Sequence, residues 1–164
     1  MNKYKLIDLG ALFLLMLITG VFWGTWFTLT RSLENFSADE FIHIGQTIIA
    51  NVAIPMRIIM PLGVLLMTLS LRFATNKQTT SFVIGIISLV LIIGVLLITL
   101  LVLVPIDKAI REWTVSSIPP DWESIRKPWD LFHSLRTFAA LASFACFSIF
   151  LLTQPAHRNP KQEF

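Results

Sequence analysis

Four apolar stretches, at about 6–30, 48–73, 82–104 and 131–153, constrain this chain more than any other feature of it. Each exceeds the roughly 20 residues a helix needs to cross a hydrocarbon core about 30 Å thick. Backbone at that depth must satisfy its own hydrogen bonds, which leaves helices as the structure these stretches can form. The expected fold is all-α: an integral membrane four-helix bundle in a single domain, 1–164, with a short amphipathic outer segment between helices three and four. A composition of 55% hydrophobic and only 14% charged residues agrees with that class and excludes an ordinary soluble domain. Lys3 and Lys5 precede the first stretch as they would a signal peptide. Its apolar part is too long, however, and Trp23, Trp26 and Phe27 stand where a small-x-small cleavage site belongs, so a retained helix is expected.

Basic residues set the expected orientation. Lys3, Lys5, Arg72, Lys77, Arg158 and Lys161 fall on the side of the termini, and Arg31, Lys108, Arg111, Arg126 and Lys127 on the other. The margin is narrow, but Lys3 and Lys5 abut the first span and Arg72 and Lys77 lie in a tight hairpin, where the positive-inside rule weighs most. Both termini are therefore expected in the cytoplasm of a cell-membrane protein whose first partner is the lipid bilayer. No nucleic-acid signature is present, and the internal repeats or broken-helix pairs of secondary transporters are lacking. The single cysteine, Cys146, can form no internal disulfide and reads as a packing residue.

Within the spans, Gly20 and Gly24 form a GxxxG pair, which suits close packing against another helix of this chain or, in a homo-oligomer, of a second copy. Ser37 and Glu40 have capping-box spacing and start the second helix. That helix contains Pro55 and Pro61, each of which deprives the carbonyl four residues earlier of its donor; those carbonyls belong to Asn51 and Arg57, themselves polar. The third span has only Ser88 and Thr99 as polar groups and reads as scaffold. Beyond Pro105 the polar segment Lys108 to Asp130, with Trp113, Trp122, Trp129 and the break Pro119-Pro120, reads as amphipathic pieces lying across the bundle mouth.

Charge inside a span marks a site, because it costs at least a few kcal/mol (~2.5–3.5 on insertion scales) and is retained only facing a protein interior. Arg57 lies in the second span and His133 and Arg136 in the fourth. Trp129, His133 and Arg136 are spaced by four and three, so they share one helix face. Counted by depth, Trp23, Asn51, Asp107, Trp129, His133 and Arg136 fall in the outer half of the membrane, with Arg57 near the middle. The coincidence points to an intramembrane pocket, open toward the outer leaflet, for a hydrophobic anion or quinone-like small molecule.

Pro105-Ile106-Asp107, then Trp113, then Trp129-Asp130-Leu131-Phe132-His133-Ser134-Leu135-Arg136 resembles the C-terminal signature of the anthrone-oxygenase-like family of small four-helix membrane proteins. That signature runs Pro-Leu-Asn and, further on, Trp, three residues, His, two residues, Arg. Trp129, His133 and Arg136 match by type and spacing, and Asp107 stands where the family usually has Asn. The resemblance is close over the last third of the chain and elsewhere rests on helix count. It implies oxidation of anthrones to anthraquinones by molecular oxygen, as associated with some fungal relatives, without metal or flavin. His133 would be the base, Arg136 and Arg57 would stabilise the resulting anion, and Trp23 and Trp129 would stack on a flat substrate.

Two other readings stay open at this stage. In one, the chain is a structural or accessory membrane subunit whose Arg57 and Arg136 are neutralised by Asp107 or Asp130 and fix helix packing. In the other, His43 and His133 ligate a metal or haem, although no CxxCH is present and no two histidines share helical spacing.

Overall fold

In a computed structural model, which describes residues 3–114 and 116–154, the chain consists of helices α1 (Lys3–Thr28), α2 (Ala38–Arg72), α3 (Thr80–Ile98), α4 (Val104–Glu112) and α5 (Trp122–Thr153). A 3-10 turn, Thr30–Asn35, extends α1, and a π-turn, Thr99–Leu103, joins α3 to α4 without a break in the rod. Four rods result, Lys3–Asn35, Ala38–Arg72, Thr80–Glu112 and Trp122–Thr153, each long and apolar enough to cross a membrane. Arg158 and Lys161, two of the basic residues on the side of the termini, lie outside the described residues.

The rods alternate in direction and close into a ring in the order α1, α2, α3, α5. The firmest contact is between α3 and α5 and the slightest between the neighbours α2 and α3. Each rod buries one stripe: Ala11, Leu15, Ile18 and Phe22 on α1, for example, and Ala140, Phe147 and Phe150 on α5. The seven-residue step from Ala140 to Phe147 continues back to His133, so the site and the core share a face. Apolar residues outside the stripes, such as Leu9, Phe13, Ile54, Ile58 and Leu101, remain exposed, as a helix surrounded by lipid requires.

Small polar groups fix the register. Ser88 Oγ donates to the Ser143 carbonyl at 2.7 Å and Ser143 Oγ returns a bond to the Ser88 carbonyl at 2.8 Å, clamping α3 to α5. At the far end Ser70 Oγ donates to the Asp8 carboxylate, tying α2 to α1. Packing is tight at Gly85, where a Cβ would lie 2.6 Å from Leu71 and 2.9 Å from the Phe150 ring. The expected capping box opens α2: Glu40 Oε2 accepts from the Ser37 N–H at 2.9 Å, and Ser37 caps the Glu40 N–H.

Two expectations need correction. The polar stretch after Pro105 does not lie across the mouth as a separate piece. Residues 104–112 prolong the third rod and 122–130 begin the fourth, leaving a link at 113–121 that contains Pro119-Pro120. The π-turn explains the continuity: Val104 N–H reaches back five residues to the Thr99 carbonyl, so the bonding register has already shifted where Pro105 supplies no donor. The glycine pair also behaves differently from an internal packing motif, since a Cβ at Gly20 or Gly24 would meet nothing within 4 Å.

Candidate functional site

A cavity of about 250 Å³ lies between α2 and the α3–α4 rod, backed by α1 and α5. Its chemistry follows from helix phase. On α5, Trp129, His133 and Arg136 all face it, and on α4 Asp107, Lys108 and Arg111 do. On α2 the lining face runs through Ile49, Val52, Met56 and Met60, with Arg57 on its exposed edge.

Arg136 is the polar centre. Its guanidinium stacks on the Phe22 ring, 4.4 Å from the centroid, and Nη1 donates to Thr99 Oγ1 at a long 3.4 Å. Its Nε is buried and has no partner. A cation held on an aromatic face with a donor left over is arranged to receive an anion or acceptor, because an unmet buried donor costs about 1–3 kcal/mol. His133, only 2% exposed, packs against Trp129 with the rings tilted and their centroids 5.0 Å apart, and its Nδ1 lies 3.5 Å from Thr30 Oγ1. Trp129 Nε1 donates to Asp107 Oδ1 at 3.0 Å. That bond joins the two halves of the sequence signature, 22 residues apart, across the top of the cavity.

Five of the seven residues singled out from sequence therefore meet at one cavity: Arg57, Asp107, Trp129, His133 and Arg136. Trp23 and Asn51 do not. Trp23 is 39% exposed and stacks outside the bundle on Trp26 and Phe27, at 5.3 and 5.6 Å. With Val21, Phe22 and Thr25 facing the cavity, the 100° step per residue carries position 23 to the opposite side of α1. Asn51 is likewise turned away, two positions from both Ile49 and Ala53 on the lining face, and is exposed.

Sequence reasoning missed Phe22, Thr30, Thr99, Lys108 and Arg111. Thr99 was the one signal available, a lone hydroxyl in a span read as scaffold; its role depends on the π-turn that starts there. The expectation that the third span stays outside the site is thus overturned, since Leu96, Thr99 and Leu100 line the cavity.

The alternatives also meet the geometry. Among the described residues, no ion pair within 4.0 Å joins Arg57 or Arg136 to an acid, and the one pair present is His43 with Asp39 at 3.2 Å. His43 is exposed on α2 while His133 is buried on α5. Among the described residues no group of three or more His, Cys, Asp or Glu is placed to hold a metal ion.

No curated protein and no solved structure matches the chain. The family model described as anthrone oxygenase matches residues 49–146, which contain α3, α4, most of α2 and α5, and all five converging residues. With more than half of its length matched, and with the Trp129, His133 and Arg136 signature facing one cavity, the chain belongs to the anthrone oxygenase family.

Proposed function

We propose that the chain is a multi-pass protein of the cell membrane, with both termini cytoplasmic. Its cavity, in the outer half of the bilayer, binds a hydrophobic, acidic or quinol-like ring compound and oxidises it with dioxygen. The observation that carries the reading is Arg136: a guanidinium on an aromatic face, with a spare buried donor, next to an imidazole in a chamber whose lower part is apolar and whose upper edge is polar. Family membership supports the reaction class. An apolar cavity of about 150 Å³ accepts benzene, so the volume here suits a ring system larger than one ring.

In this mechanism His133 removes a proton from a ring CH2 made acidic by the adjoining phenolic rings. Arg136 holds the negative charge that spreads onto the ring oxygen, an interaction worth most where water is excluded. The carbanion passes electrons to dioxygen, one oxygen atom becomes the new carbonyl and the other leaves as water, so CH2 and O2 give C=O and H2O. Asp107 holds Trp129 by its indole N–H so that the ring flanks the substrate beside His133.

The test is turnover of a dihydroxyanthrone in air by the chain in lipid nanodiscs, followed by quinone absorbance and oxygen uptake. One O2 consumed per quinone is expected, with losses of about 100-fold or more in His133→Ala and in Arg136→Leu, as for removal of a general base or an oxyanion partner. Turnover equal to that of empty nanodiscs, or unchanged in both variants, would remove the reading.

A further inference from the structure

The cavity has a closed top and an open side. Above it, Phe41 packs at a tilt against Trp122 at 5.5 Å and meets Trp129 edge-on at 6.1 Å. Gln46 Nε2 donates to the Ile110 and Trp113 carbonyls at 3.0 and 2.8 Å, fastening the end of α4 to α2. Arg126 Nη1 donates to the Leu33 carbonyl at 2.9 Å, fastening the start of α5 to the turn after α1. The buried residues Leu33, Phe41, Ile42, Ile110 and Trp129 fill the space between these ties, so the end of the bundle is roofed.

The side between α2 and α3 lacks such closure. These neighbours touch least, and Arg57, Pro61 and Leu100 line the cavity while being themselves exposed. The surface around the gap is lipid-facing: Ile54, Ile58, Leu97 and Leu101 are 67, 63, 49 and 71% exposed. At the upper edge of the same cavity stand Lys108 and Arg111, three residues apart on one face of α4, both exposed. The lower end is apolar, at Met60, Pro61 and Leu96.

We infer that the cavity is loaded sideways from the bilayer, through the gap between α2 and α3, by an amphiphilic organic acid. Lys108 and Arg111 capture its head group and its apolar body slides in below them. The inference rests on the binding role proposed above and adds the route and the amphiphilic character of the ligand. A purely polar solute would have to cross either the roof or the lipid, each costly. Cations at the end of a membrane helix sit at head-group level, where an acidic head also lies.

The test uses the full chain in nanodiscs of zwitterionic lipid, with anthroyloxy-stearic acid or its methyl ester as probe and tryptophan-to-anthroyl energy transfer as readout. Transfer to the acid should saturate with its mole fraction in the lipid and should not change when the aqueous phase is diluted tenfold. Lys108→Gln with Arg111→Gln, both at exposed positions, should slow uptake of the acid by about tenfold and leave the ester unaffected. Leu100→Trp, which narrows the gap, should slow both probes. Saturable uptake that follows the aqueous concentration, or that ignores all three substitutions, would overturn the lateral route while leaving the binding role standing. Absence of any saturable transfer in the unsubstituted chain that also binds no dihydroxyanthrone would sink both.

Discussion

Replacing Arg136 by methionine should leave the bundle as stable as before, or more stable, while abolishing ligand binding. An arginine at the centre of a membrane helix costs about 2.5–3.5 kcal/mol on insertion scales, which is an upper bound for Arg136 in the outer half of the fourth span. The protein's own compensation is partial, and includes attraction from Asp107 at more than 4.0 Å. Stacking on Phe22 returns about 0.5–2 kcal/mol, and the single hydrogen bond to Thr99, at 3.4 Å, returns less than the ~1 kcal/mol of a well-formed one. No carboxylate lies within 4.0 Å of the guanidinium among the described residues, and Nε is unmet. At most about 1 kcal/mol is therefore left unrecovered by contacts within the chain. Methionine keeps the length without the charge, so Arg136→Met should raise the unfolding midpoint by up to about 2–4 °C, the shift that ~1 kcal/mol gives in a chain of this size. Thermal unfolding in nanodiscs, read by circular dichroism, measures this; a parallel titration with an organic acid measures the lost binding. Destabilisation by about 2 kcal/mol or more would show that Arg136 holds the helices together, and the reasoning from an unmet charge would fail.

Three further outcomes are expected. Asp107→Asn keeps an acceptor for the Trp129 N–H and removes the one acid lining the cavity, so it should preserve stability and tighten organic-anion binding several-fold in the same titration. Asp107→Leu instead strands that indole N–H and should cost about 1–3 kcal/mol in the unfolding measurement. Gly85→Ala drives a methyl into Leu71 and the Phe150 ring and should lower stability by about 1–3 kcal/mol, with ligand affinity changed little because the contact lies outside the cavity lining.

The fold was legible in the sequence because its determinant is coarse: four long apolar runs leave one class of structure, and Ser37 with Glu40 marks a helix start by local chemistry alone. The fourth-rod triad was legible for a related reason. Trp129, His133 and Arg136 sit at spacings that keep one face as long as the helix continues, and α5 runs unbroken through all three. Helix phase was the hidden quantity elsewhere. α1 is apolar on every side, so nothing in its sequence tells whether Phe22 or Trp23 faces inward; its packing against α2 and α5 decides for Phe22. Asn51 is polar within a span, which favours an inward position, whereas its phase on α2 turns it outward. The contribution of Thr99 depends on a π-turn, which hydrophobic periodicity does not encode, and the same turn lets the helix continue past Pro105 to bring Asp107, Lys108 and Arg111 alongside the cavity.

The central claim is that Arg136 and His133 together accept an acidic ring compound from the cavity. The most direct measurement is an absorbance titration of the nanodisc-embedded chain with a dihydroxyanthrone under argon, where oxidation cannot follow and binding alone is read. Saturable binding with the spectrum of the deprotonated ring is expected for the unsubstituted chain. His133→Ala should bind without that spectral change, and Arg136→Met should not bind. Saturation with identical spectra in all three, or in none, would contradict the account.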